Sequence, residues 1–172
     1  MSEAPRLLAG VHPEIAHLSW LVGEWHGTGV AEFAGQEPFE YACQVEFSNT
    51  EQPFLLYTST MWHLTTDRTR GELFREESGI WSGGSNNLVA VSLATHDGQP
   101  DWTGTVQVAE ITNAVITRAG LRLVVTDAHG NELADAGVRS IGIVAEKLLL
   151  VHELGPENHP ATDKLSIMMS KA

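Results

Sequence analysis

From Phe39 to Phe47 the chain reads Phe-Glu-Tyr-Ala-Cys-Gln-Val-Glu-Phe, apolar at every odd position, with Glu40, Ala42, Gln44 and Glu46 between. A period of two places alternate side chains on opposite faces, so the run is a strand with one dry and one wetter face. It predicts Tyr41, Cys43, Val45 and Phe47 pointing inward, and Glu40, Gln44 and Glu46 outward. Comparable strand patterns occupy 23–33, 54–64, 72–81, 87–95, 104–111, 114–117, 121–126, 137–144, 148–154 and 165–171. Asp97-Gly98, Ala119-Gly120 and His129-Gly130-Asn131 offer turn residues between them. About ten short strands joined by tight turns predict an all-β chain folded as a closed antiparallel barrel or a sandwich.

Only the ends break the pattern. Ile15, Leu18, Leu21 and Val22 follow helical spacing behind Pro13, which suits a first helical turn, so 13–21 is expected to be a short helix covering one end of the barrel. Residues 155–160 have loop composition, 161–164 suit a helical turn, and 165–171 is the strand expected to close on the first. No repeat or linker divides the chain, so a single domain over 1–172 is expected, with 1–12 as a flexible N-terminus.

Charge and cysteine content narrow the function classes. The 172 residues carry 10 Lys+Arg against 22 Asp+Glu, a net charge of −12, which argues against a nucleic-acid backbone as partner. One cysteine excludes an internal disulfide, and no leader-like segment or bilayer-length apolar run is present, so a cytoplasmic protein is expected, with no membrane partner. A barrel of this size encloses either one small ligand or its own side chains.

The chemistry-bearing residues form no catalytic or metal motif. There is no Gly-x-Ser-x-Gly elbow, and Cys43 on an apolar face is expected to be inert. His12, His17, His26, His63, His96, His129, His152 and His159 make no His-x-His or His-Glu-x-x-His pair, so no metal site is expected. His26 is expected to face solvent, His96 and His129 to lie in loops, and His152 to be a core histidine or a ligand. Glu76-Glu77 is expected on a solvated edge, and Met168-Met169 as core filling or as soft ligands.

One string goes further. Gly23-Glu24-Trp25-His26-Gly27-Thr28-Gly29 has the form Gly-x-Trp-x-Gly-x-Gly, followed by Glu37-Pro38-Phe39-Glu40-Tyr41, Phe47-Ser48 and Pro53-Phe54-Leu55. Glycines at alternate strand positions let other groups approach closely, and Trp25 is expected to plug the barrel floor, so the motif is architectural. These residues resemble the nitrobindin family, haem-binding ten-stranded barrels related in shape to fatty-acid-binding proteins and lipocalins. The resemblance implies ferric haem at the barrel mouth, chemistry on nitrogen oxides including peroxynitrite isomerisation, and a homodimer. It also implies one proximal His between an Asp and a Leu at the start of the last strand. Here that segment is Asp163-Lys164-Leu165, so Lys164 stands where the resemblance implies the iron ligand. The neighbouring imidazoles are His152 and His159. Two further positions differ from the family pattern: Gly35, where a Thr is implied, and Glu132 or Leu133, where a Lys is implied.

The reading that follows is a nitrobindin-like barrel lacking the proximal His. It is expected to carry no cofactor and no catalytic residue, and to bind an unidentified small apolar ligand. The alternative is a haem-binding member acting on nitric oxide or peroxynitrite through a substitute ligand: Lys164, His152 or His159.

Overall fold

A computed structural model describes residues 10–95, 98, 100–133, 136–154 and 163–172. A helix of 3-10 turns, Pro13–Leu21, precedes β1 Gly23–Glu32, β2 Phe39–Asn49, β3 Phe54–Leu64 and β4 Arg70–Gly83. After a short 3-10 turn at Ser85–Asn87 come β5 Leu88–Thr95, β6 Asp101–Thr112, β7 Val115–Val125, β8 Val138–Val144, β9 Lys147–Leu154 and β10 Asp163–Lys171. Each strand pairs antiparallel with its sequence neighbours, and β10 pairs with β1, which closes a ten-stranded barrel. Closure leaves no sheet edge unpaired.

The alternation in β2 is as expected: Tyr41, Cys43, Val45 and Phe47 are buried, while Glu40 and Glu46 are exposed. Three expectations are corrected. Residues 114–117 and 121–126 belong to one strand, because Ala119-Gly120 is not a turn; Gly120 sits mid-ladder opposite Gln107 and Gly142. The β6–β7 turn is instead at Asn113-Ala114, both at positive φ, and Ala145-Glu146 makes the same turn between β8 and β9. Lys164, expected in a helical turn, is in β10. Val11 is buried in the core, so the flexible N-terminus does not extend through residue 12; residues 1–9 lie outside the described set.

The glycine motif builds the closing seam. A Cβ at Gly27 would lie 2.3 Å from the Met168 carbonyl oxygen, and one at Gly29 would lie 2.2 Å from that of Ser166. Side chains there would force β10 away from β1. Gly23 has φ +134°, a conformation that β-carbons oppose. Trp25 is buried and its indole N–H donates to the Leu21 carbonyl at 2.8 Å, tying the helix to the barrel floor. Lys171 lies 5.3 Å above the Trp25 ring. Ile15, Leu18, Trp20 and Leu21 complete the plug.

Candidate functional site

At the end opposite the helix, where β2 starts and β3 ends, five rings meet. Phe39 lies 4.5 Å from His63, 5.5 Å from Phe74 and 5.6 Å from Phe33, centroid to centroid. Phe74 is also 4.8 Å from His63 and 5.8 Å from Tyr41. A register shift between β3 and β4 makes this cluster: Met61 pairs with Arg75 but Trp62 with Leu73, leaving Phe74 as the extra residue. Such a bulge re-aims side chains. Here it brings Phe74 into the mouth while Leu73 is exposed.

Below the rings a polar belt crosses the lumen. Glu77 on β4 is 4% exposed and Arg139 on β8 is 2% exposed. The guanidinium donates from Nη2 to Glu77 Oε1 at 2.6 Å and from Nη1 to Oε2 at 2.7 Å. Arg75 donates to Oε1 at 3.0 and 3.1 Å, and Tyr57 OH to Oε2 at 3.3 Å. Burial works to raise the Glu77 carboxyl pKa, but the charges and hydrogen bonds of Arg139 and Arg75 outweigh it and lower it to about 2. Arg139 Cζ stacks 4.8 Å from the Trp102 ring, and the His152 ring meets Trp102 edge-on at 5.7 Å. Burial first, and the Arg139 charge second, hold the His152 pKa well below its ordinary value, so the ring is neutral at pH 7.

The expected site residues fall as follows. Cys43 is buried on the inner face, with its thiol pushed up to about 12 chiefly by burial. His26 lies 2.6 Å from Glu24 on the outer surface. Met169 is core and Met168 is exposed. Lys164 alternates with buried Leu165, Ile167 and Met169, and its rung partners are Glu32 and Glu153, so it stands on the outer face. Asp163 shares the inward alternation with Leu165, and its Oδ1 accepts from the Ala34 N–H at 2.8 Å. Gly35 is in the β1–β2 turn at φ +77°, Leu133 is exposed, and Glu132 pairs with Arg122 at 3.5 Å. His96 and His159 lie outside the described residues. Among the described residues no group of three or more His, Cys, Asp or Glu is disposed to hold a metal ion.

Glu77 corrects the reading of Glu76-Glu77 as solvated. The signal was present: Glu77 shares its parity with Trp81, and Arg139 with Ile141 and Ile143. His63, assigned no role from sequence, shares its parity with buried Leu55, Tyr57, Ser59 and Met61.

The closed antiparallel barrel, its apolar mouth and its buried polar belt define the class that encloses one ligand or its own core. The chain belongs to the family described as the THAP4-like, heme-binding beta-barrel domain, whose family model matches residues 14–171. It is similar to the ferric nitrobindin-like protein of Thermobifida fusca, 42% identical over 71 residues, 41% of this chain and 40% of that one. It is also similar to the peroxynitrite isomerase of Leifsonia xyli, 41% identical over 71 residues, 40% of this chain and 34% of that one. The chain thus matches well under half of each relative's length. The crystal structure of Rv2717c from M. tuberculosis superposes with a TM-score of 0.75 at 25% identity, covering 94% of this chain and 99% of that one.

These findings correct the expectation of a barrel without enzymatic activity, because relatives of this chain carry the name peroxynitrite isomerase. The expectation of no cofactor meets a family described as haem-binding. The mouth fits a porphyrin in its chemistry: apolar rings to cover the macrocycle, and the His63 imidazole as the kind of donor that binds haem iron. Lys164 does not fit as that donor, since it stands on the outer face. Among the described residues no helix is long and apolar enough to cross a membrane.

Proposed function

We propose that this barrel binds haem at its mouth, that position 164 supplies no iron ligand, and that His63 takes that role. The observation that carries the reading is the His63 imidazole lying within 4.8 Å of both Phe39 and Phe74 in the ring cluster. Bound there, haem would supply a ferric centre for nitrogen-oxide chemistry of the kind the relatives' name, peroxynitrite isomerase, describes. Phe33, Phe39, Phe74 and Tyr41 would supply the apolar surroundings of a macrocycle held there, and His63 the nitrogen. His152 is the poorer substitute, because it is 2% exposed and walled by Trp102 and Arg139. The setting is cytoplasmic, with neither nucleic acid nor membrane as partner, and the protein pairs as a homodimer.

Hemin titration tests this. One equivalent should give a sharp Soret band, which His63→Ala abolishes while Lys164→Ala and His152→Ala retain it. A band that survives His63→Ala refutes the ligand assignment. A second reading, a haem-free barrel for a small apolar ligand, is favoured by the Glu77–Arg139 bridge, which occupies the lumen beneath the rings. No saturable band with hemin would select it.

A further inference from the structure

The three side chains in mutual contact on the β6, β8 and β9 wall each carry one buried nitrogen without a hydrogen-bond partner. Trp102 Nε1, Arg139 Nε and His152 Nε2 are all unpaired, on residues 3%, 2% and 2% exposed. Arg139 and His152 are rung partners, and Trp102 lies against both. Native interiors hold few such atoms, because each carries its full desolvation cost.

Their chemistry is one-sided. The indole N–H and the Arg139 Nε–H can only donate, and His152 Nε2 donates in one of its two tautomers. The buried carboxylate nearby among the described residues offers them nothing: both Glu77 oxygens already accept from Arg139, and they accept from Arg75 and Tyr57 as well. The unpaired atoms elsewhere on the inner wall extend the bias. Trp81 Nε1 is another obligate donor and Tyr41 OH can donate. None of these five atoms is an obligate acceptor, so an acceptor-rich occupant is called for. Leu123 and Leu165, on the same rungs as Arg139 and His152, are fully buried, so the walls around these nitrogens are apolar.

We propose that Trp102, Arg139 and His152 form an interior site for a small oxyanion, a carboxylate or nitrate-type group of three or four heavy atoms. The site lies in the barrel wall below the ring cluster and uses none of the residues assigned to haem. An oxyanion offers acceptors only, the complement of these donors, and beside the guanidinium its hydrogen bonds would be charge-assisted.

The test is nitrogen-15 NMR of the full chain, following the Trp102 indole and Arg139 Nε–H resonances, assigned with Trp102→Phe and Arg139→Lys. Sodium formate is titrated against sodium chloride at equal ionic strength. Expected is a saturable shift of both resonances with formate and not with chloride. Trp102→Phe, which keeps an aromatic side chain but removes the indole donor, should weaken formate roughly fivefold to tenfold, and His152→Phe similarly. Shifts that stay linear, or that match those of chloride, would mean that ordered water alone serves these nitrogens, and the proposal fails. Unchanged affinity in Trp102→Phe would equally overturn it.

Discussion

Glu77 and Arg139, 62 residues apart in sequence, meet across the barrel lumen in a two-pronged ion pair at 2.6 and 2.7 Å. One comes from β4 and the other from β8, so the pair ties opposite walls together. Removing one partner strands a buried charge, which costs roughly 3–5 kcal/mol, whereas replacing both by apolar residues of similar volume is often neutral. Glu77→Ala and Arg139→Ala should each lower the urea midpoint sharply, and a Glu77→Met/Arg139→Met double variant should recover most of the loss. Additive losses in the double variant would show that the pair does not act as a unit.

Acid should weaken the barrel in two stages. The folded Glu77 carboxyl titrates near pH 2 instead of its ordinary 4.5, so its contribution is present above about pH 4.5 and is lost as pH falls toward 2. His152 is held below its ordinary 6.5, so the unfolded chain takes up a proton there first, and stability falls as pH drops below 6.5. Urea midpoints measured between pH 7 and pH 3 should decline throughout. His152→Phe should flatten the upper part of the decline and Glu77→Gln the lower. A midpoint constant from pH 7 to pH 4 would contradict the His152 assignment.

The closing seam tolerates no Cβ at Gly29. The nearest backbone oxygen would stand 2.2 Å from it, so Gly29→Ala should destabilise by about 2 kcal/mol or more, in the range of core overpacking. Thr28→Ala, on the exposed face, is the control and should stay within about 0.5 kcal/mol. Thermal melts of the two variants decide the matter.

Cys43 is buried with its thiol raised to about 12. A thiol reagent at pH 8 should label it slowly in the native protein and at once in urea, since only the thiolate attacks. Fast native labelling would mean that β2 has a different register.

Introducing imidazole at the start of β10 should depend on which face receives it. Lys164→His places the ring outside, on the rung of Glu32 and Glu153, and should leave the hemin spectrum unchanged. Asp163→His places it on the Leu165 side and should alter the spectrum, most clearly in a His63→Ala background. The reverse result would reassign the faces of β10.

Much of the barrel was legible in the chain because a strand writes its two faces into a period of two. Phe39–Asn49 and Phe54–Leu64 could be read this way, as could the pairing of the last strand with the first and the close-packing role of Gly27 and Gly29. The break at Ala119-Gly120 was misplaced because a glycine favours a turn but does not force one. Gly120 remains in the ladder, since β7 pairs on both sides there.

By itself, the sequence determined the alternation of faces in strands such as β2, and that β10 carries Lys164 before Leu165. The tertiary structure alone decided what those faces meet. Glu77 looks like any strand carboxylate until closure brings Arg139 from four strands away. The β3–β4 bulge turns Phe74 toward His63, and the register of β10 sends Lys164 outward. The physical reason is that alternation is local, set by backbone geometry within a few residues. Partners across a lumen depend on register and closure summed over the whole ring, and only the folded barrel contains that information.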